Sequence, residues 1–247
     1  MHSDNVLEAT NLFHRYFVFY FSNMLVNIET YQAIVKSLSQ KNVQLVAVSK
    51  TKPVAALQEL YNLGQRDFGE NYVQELADKQ QELPKDIRWH FIGHLQTNKV
   101  KYIAPFVHLI QGVDTFKLLK EINKEGAKNG RVIKVLLQVH IAQEETKFGL
   151  NEAELEDILR TNFRELLALE NIKICGLMGM ASFSENKEQV RREFWYLKSL
   201  FDKYAHTQHA NIQFTTLSMG MSGDYGIAVE EGSTMVRIGS LIFGGRT

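Results

Sequence analysis

The chain has little that would cross-link it or mark it for export. Its 247 residues include one cysteine, Cys175. No intrachain disulfide can form, and a reducing, cytoplasmic setting fits best. Three prolines and no Ser/Gly-rich tract leave no linker or domain boundary to point to. Neither sign of charge is in excess, with 28 Lys plus Arg against 28 Asp plus Glu. That balance gives no footprint for nucleic acid or for an anionic membrane surface. No apolar run is long enough to span a bilayer. The aromatic stretch at 16–21 lacks the basic start and small-residue cleavage site of a signal peptide. Residues 1–23 read as an extension of unknown role, and Met24 is an equally good start. No internal repeat and no interface motif stands out, so one domain over 24–247 and a monomer are expected.

What the sequence does contain is alternation. Apolar residues at helical spacing over 25–38 predict an N-terminal helix. The valine-rich run 43–50 reads as a strand buried on both faces. Further strands are expected at 66–69, 88–92, 107–112, 132–141, 172–180, 214–217 and 235–238. Helical patterns lie between them. Asn71 is expected to cap one to 82, Asp114 or Thr115 one to 128, and Asn151 one to 169. Eight strands alternating with helices indicate an α/β fold, a (β/α)8 TIM barrel, rather than a doubly wound sheet.

In a barrel the active face lies at the carboxyl ends of the strands. Lys50 ends the first strand and shares a face with Val46 and Val48. Its stem could simply lie on apolar surface with the ammonium in water. Alternatively, partial burial lowers its pKa and leaves an amine able to attack a carbonyl. After the seventh and eighth strands come the small residues Ser218 to Asp224 and Gly239–Ser240. Phosphate sites of barrels are often built there, from backbone N–H groups with Ser222 or Ser240 adding a hydroxyl. A strand-end lysine with a phosphate cup suggests pyridoxal 5′-phosphate (PLP) held as a Schiff base. Arg237, on the face of Met235 and Gly239, would keep a pyridine nitrogen unprotonated, which argues against transaminase-like chemistry. The plain alternative is an ion pair with Glu230 or Glu231.

The chain resembles the pyridoxal phosphate homeostasis proteins, which are alanine-racemase-like barrels. The resemblance rests on an ordered set of motifs: LVAVSKTKP (45–53), FGENYVQE (68–75), WHFIGHLQTNK (89–99), Lys147-x-Gly149, GLMGM (176–180), LSMGMSGDY (217–225) and VRIGSLIFG (236–244). It implies an aldimine on Lys50 and phosphate contacts from Ser222, Gly239 and Ser240 with backbone help from Met221. It also implies Arg237 at the pyridine nitrogen, Asn71 near the ring, and Lys147 as a candidate second lysine. The family's role is intracellular PLP homeostasis without robust turnover, with PLP-dependent apo-enzymes as candidate recipients.

The alternative is a PLP-dependent amino-acid racemase. That reaction needs a second base. Related barrel racemases take it from a carboxyl-terminal β-domain for which this sequence leaves no room, and Tyr225 and Tyr72 are only possible stand-ins. A metal site at His90 and His94 is not expected, because Gly93 interrupts the helical spacing. His90 is expected to be a hydrogen-bonded interior residue, and Met178 and Met180 to be packing. Cys175, alternating with Leu177, reads as a buried inert thiol, and Lys79 and Lys128 as surface lysines.

Overall fold

The computed structural model describes residues 25–144 and 148–245. The extension at 1–23 and Lys147 lie outside the described residues. Eight strands form the barrel among the described residues: β1 (Gln44–Val48), β2 (Asp67–Glu70), β3 (Arg88–Phe91), β4 (Leu109–Val113), β5 (Ile133–His140), β6 (Ile172–Met180), β7 (Ile212–Ser218) and β8 (Met235–Ile238). Each pairs in parallel with the next, and β8 returns to β1 with Val46 opposite Arg237. The ring is therefore the closed (β/α)8 barrel expected.

The helices are α1 (Ile28–Ser39), α2 (Val54–Asn62), α3 (Val73–Glu82), α4 (Val100–Ile103), α5 (Phe116–Lys128), α6 (Glu152–Glu156), α7 (Phe163–Leu167), α8 (Lys187–Tyr204), α9 (Tyr225–Glu230) and α10 (Ser240–Phe243). Asn27 starts α1 by accepting the Thr30 N–H, and the helix buries Tyr31, Ile34 and Leu38. Thr115 caps α5 through Leu118 N–H. Asn151 and Glu154 form a reciprocal capping box at α6.

Strand alternation sorts side chains into two layers. The outward layer packs against the helices in one cluster that includes Phe68, Trp89, Phe91, Ile110 and Phe194. Burying each such side chain contributes about 1.5–3 kcal/mol. The inward layer holds a small cluster of Val46, Leu109, Leu136, Cys175, Met178 and Met235, together with the buried polar groups Asp67, His90, Gln111, Ser218 and Arg237.

Several local expectations need correction. β1 stops at Val48, so Lys50 sits in the turn beyond it. Asn71 caps nothing: α3 begins at Val73, behind Tyr72. The helix expected from Asn151 to 169 is interrupted by a π-helical turn, Asp157–Thr161. There Asn162 donates to Asp157 through its backbone (2.8 Å) and its side chain (2.7 Å to Oδ2), a local competitor for the helical ladder. A two-residue strand, Gln208–His209, pairs antiparallel with β7 and is too short to leave a period. The β5–β6 and β6–β7 registers shift at Gly176. Cys175 therefore faces the lumen while Leu177 joins the helix-facing layer. Lys79 is buried rather than on the surface.

Candidate functional site

At the carboxyl ends of the strands lies a cavity of about 470 Å³. All seven residues expected there line it: Lys50, Asn71, Met221, Ser222, Arg237, Gly239 and Ser240. Val48 lines it below Lys50 while Val46 packs in the lumen, so the inward face of β1 carries on into the turn after the strand has ended.

Arg237 reaches the cavity from β8 and is 3% exposed. It makes no ion pair with Glu230 or Glu231, which are held by Arg191 instead. Its Nη1 donates to Ser218 Oγ at 2.6 Å and its Nη2 to the Gly179 carbonyl at 2.9 Å. Burial pushes its pKa down to about 10, with the Asp224 carboxylate pulling the other way, so the guanidinium stays charged at neutral pH. The chain continues across the lumen. Ser218 Oγ donates to Gln111 Oε1 (2.7 Å), Gln111 Nε2 meets His90 Nδ1 (3.0 Å), and His90 Nε2 meets Asp67 Oδ1 (2.9 Å). An amide nitrogen can only donate, so His90 accepts at Nδ1 and gives its Nε2 hydrogen to Asp67. Arg88 closes the chain on Asp67 with two contacts. Burial pushes the Asp67 carboxyl up, but hydrogen bonds from Arg88 and His90 outweigh it and hold the group well below the usual carboxylate range.

The loops after β7 and β8 meet as the sequence suggested. Ser222 Oγ accepts the Gly239 N–H at 3.3 Å, which leaves its own hydrogen to donate. The Met221 N–H donates to Asp224 Oδ1 at 2.5 Å, so Asp224 shapes this turn. A Cβ on Gly239 would stand 2.9 Å from the Val48 carbonyl, so the close approach of β8 to β1 needs glycine there. Asn71 is seated by Gly93, where a Cβ would lie 2.4 Å from the Asn71 carbonyl. Asn71 Oδ1 is buried with no hydrogen-bond partner among the described residues.

Sequence reading missed Lys52 and Met180 as lining residues. Lys52 Nζ is tied to the carbonyls of Phe243 (3.1 Å) and Gly245 (2.9 Å); its place in SKTKP was the available signal. Met180, taken for packing alone, faces the cavity at the end of β6. His94 stacks on Phe148 and lies 3.3 Å from Asp114. Among the described residues no group of three or more His, Cys, Asp or Glu is placed to hold a metal ion. Nor is any helix among them long and apolar enough to cross a membrane.

The family described as alanine racemase, N-terminal domain matches residues 23–247. A pyridoxal phosphate homeostasis protein of Aquifex aeolicus is 44% identical over 204 residues, covering 82% of this chain and 87% of that protein. The chain belongs to the pyridoxal phosphate homeostasis protein family. The human member is 40% identical over 213 residues, 82% of this chain and 76% of that protein. Among solved structures, PipY of Synechococcus elongatus with PLP bound superposes with a TM-score of 0.74 at 36% identity, covering 85% of this chain and 98% of that one. An alanine racemase of Clostridium difficile shares the fold at 16% identity, with a TM-score of 0.65, 87% of this chain covered and 59% of that one.

Proposed function

We propose that this member of the family binds PLP in the Lys50 cavity and serves PLP homeostasis without rapid turnover. The observation that carries the reading is the convergence of Lys50, Arg237, Asn71 and the Ser222–Ser240 cup on one cavity. The PLP homeostasis relatives and the PLP-bound PipY structure support it. The residues fit the group. A buried guanidinium and a buried, unpartnered amide oxygen suit a polar heterocycle, and serine hydroxyls beside a glycine suit a phosphate.

PLP supplies an aldehyde with which a lysine amine condenses, releasing water. Lys50 offers that amine. Arg237 would donate toward the ring nitrogen, and its charge would disfavour protonation there. The weak electron sink that results suits holding the cofactor rather than transforming an amino acid. Asn71 would meet the ring's polar edge, and Ser222, Gly239 and Ser240 would hold the phosphate, with the Met221 N–H fixing the turn through Asp224. Val48, Ile92 and Met180 line the cavity and would exclude water from the ring. A racemase needs a second base, and among the described residues no tyrosine lines the cavity. Tyr72 is mostly exposed. We read the chain as a cytoplasmic monomer whose recipients are PLP-dependent apo-enzymes.

Titration with PLP, followed in the visible spectrum and by an alanine racemisation assay, tests this. A saturable yellow complex that is lost in Lys50→Ala is expected, with no appreciable racemisation. Turnover on the order of 1–10³ per second that vanished in Lys50→Ala would overturn the homeostasis reading.

A further inference from the structure

Lys50 is presented by a three-residue turn, Ser49, Lys50 and Thr51, and Thr51 has φ of +62°. That left-handed backbone is unfavourable for a non-glycine residue and persists only where the surroundings impose it. Here α3 and β2 impose it from outside the cavity. Glu75 Oε1 accepts the Thr51 N–H at 2.6 Å. Lys79 Nζ donates to the Ser49 carbonyl at 2.7 Å. Ser49 Oγ donates to Glu70 Oε1 at 2.7 Å. Lys79 also joins the two carboxylates, 2.8 Å from Glu70 Oε1 and 2.7 Å from Glu75 Oε1. Its three acceptors match the three N–H bonds of an ammonium.

The Lys79 side chain is 6% exposed and that of Glu70 is fully buried. Glu70 Oε2 has no partner among the described residues, and burial pushes the Glu70 carboxyl up although Lys79 and Ser49 pull it back. A buried ionic cluster of this kind is a poor source of net stability, since well-packed apolar side chains often do as well. What apolar side chains cannot do is hold a particular carbonyl and a particular N–H. This cluster holds the carbonyl of the residue before Lys50 and the N–H of the residue after it.

We propose that Glu75 and Lys79 are positioning residues that clamp the backbone on both sides of Lys50 and so fix its Nζ for condensation with the PLP aldehyde. The proposal rests on the reading of Lys50 as the condensing lysine. In that step the amine nitrogen adds to the aldehyde carbon, C=N replaces C=O, and the oxygen leaves as water with both amine hydrogens. Nothing is oxidised or reduced. The clamp adds no contact to the ligand; it removes the freedom of the turn that carries the nucleophile.

The test uses Glu75→Ala and Lys79→Met in the full chain and two ligands. One is PLP. The other is 4′-deoxypyridoxine 5′-phosphate, which keeps the ring and phosphate but has a methyl group in place of the aldehyde. Affinity for each is measured by titration, and the PLP adduct on Lys50 is trapped with borohydride and quantified. PLP binding and trapped yield should fall by about tenfold or more, with analogue binding changed by less than about twofold. Equal losses for both ligands would mean that the cluster merely shapes the cavity, and no change for either would mean that Lys50 needs no clamp. Either result overturns the proposal. If Lys79→Met fails to fold in a thermal melt, Glu75→Ala carries the test alone, because that side chain is partly exposed and its loss leaves the Lys79–Glu70 pair in place. Failure of the parent reading shows separately. A wild type with no adduct on Lys50 removes both readings, whereas a wild-type adduct that Glu75→Ala leaves intact removes only this one.

Discussion

Trp89 and His90 are neighbours in β3 and face opposite ways. Trp89 enters the helix-facing layer beside Phe68, their ring centroids 6.0 Å apart. His90 enters the lumen, where both of its ring nitrogens are engaged. The two layers are the same strands seen from two sides, yet they tolerate change differently. The outer layer asks for apolar volume, and many residues supply that. The lumen asks for particular donors and acceptors, because losing one strands its partner out of reach of water. The lumen also ends in the cavity, through Arg237. Damage to the outer layer should therefore reach stability, while damage to the lumen should reach stability and ligand together.

The largest stability effect is expected in the outer layer. Trp89→Ala should cost about 3–5 kcal/mol in denaturant unfolding, with PLP affinity of the folded fraction unchanged. A matching loss of affinity would break the comparison. Gln111→Leu should cost less, about 1–3 kcal/mol, yet weaken PLP binding, since Ser218 and with it Arg237 lose their restraint. Unchanged affinity there would mean that the Gly179 carbonyl alone holds Arg237.

A third prediction concerns pH. His108 lies against His90 with ring centroids 5.5 Å apart. Burial chiefly, with repulsion from His90 and Lys134, pushes its pKa from 6.5 down to about 4. A base whose folded-state pKa lies below its unfolded value favours the unfolded chain once that chain binds the proton. Its stabilising contribution is complete above pH 6.5 and drains away as the pH falls toward 4. His108→Gln should flatten the stability profile over that window and change little at pH 7.5. A profile as steep as the wild type's would assign the acid loss to other groups. The smallest effect is expected at Cys175. Burial pushes its thiol up, so Cys175→Val should shift stability by less than about 1.5 kcal/mol, and a thiol reagent should modify the wild type only on unfolding.

The same contrast decides what could be read from the sequence. The outer layer was legible because strand and helix periods are local. β6 and β8 fall on the expected residues, and α5 runs from one of its two expected caps, Thr115, to the expected end at Lys128. The ends of the strands were legible too, because lysine, arginine, glycine and serine are conspicuous there. The polar chain was not. Ser218 and Gln111 are 107 residues apart, and His90 and Asp67 are 23 apart. Pairing of β2 with β3 brings the second pair together, and only closure of the barrel brings the first together across the lumen. Lys79 was misplaced for a related reason: beside Glu75, one turn before it on α3, its acceptors are the Ser49 carbonyl in the turn after β1 and a β2 carboxylate, and no helical period reveals those two. Asn71 looked like a helix cap because asparagine often is one. Here the chain spends it on the cavity.

The measurement that tests the central claim most directly is borohydride reduction of the wild-type chain with substoichiometric PLP, followed by peptide fragmentation that separates Lys50 from Lys52. A phosphopyridoxyl group on Lys50 alone is the expected result. A label on Lys52, or one scattered over exposed lysines such as Lys128, would contradict it and leave the cavity without its cofactor.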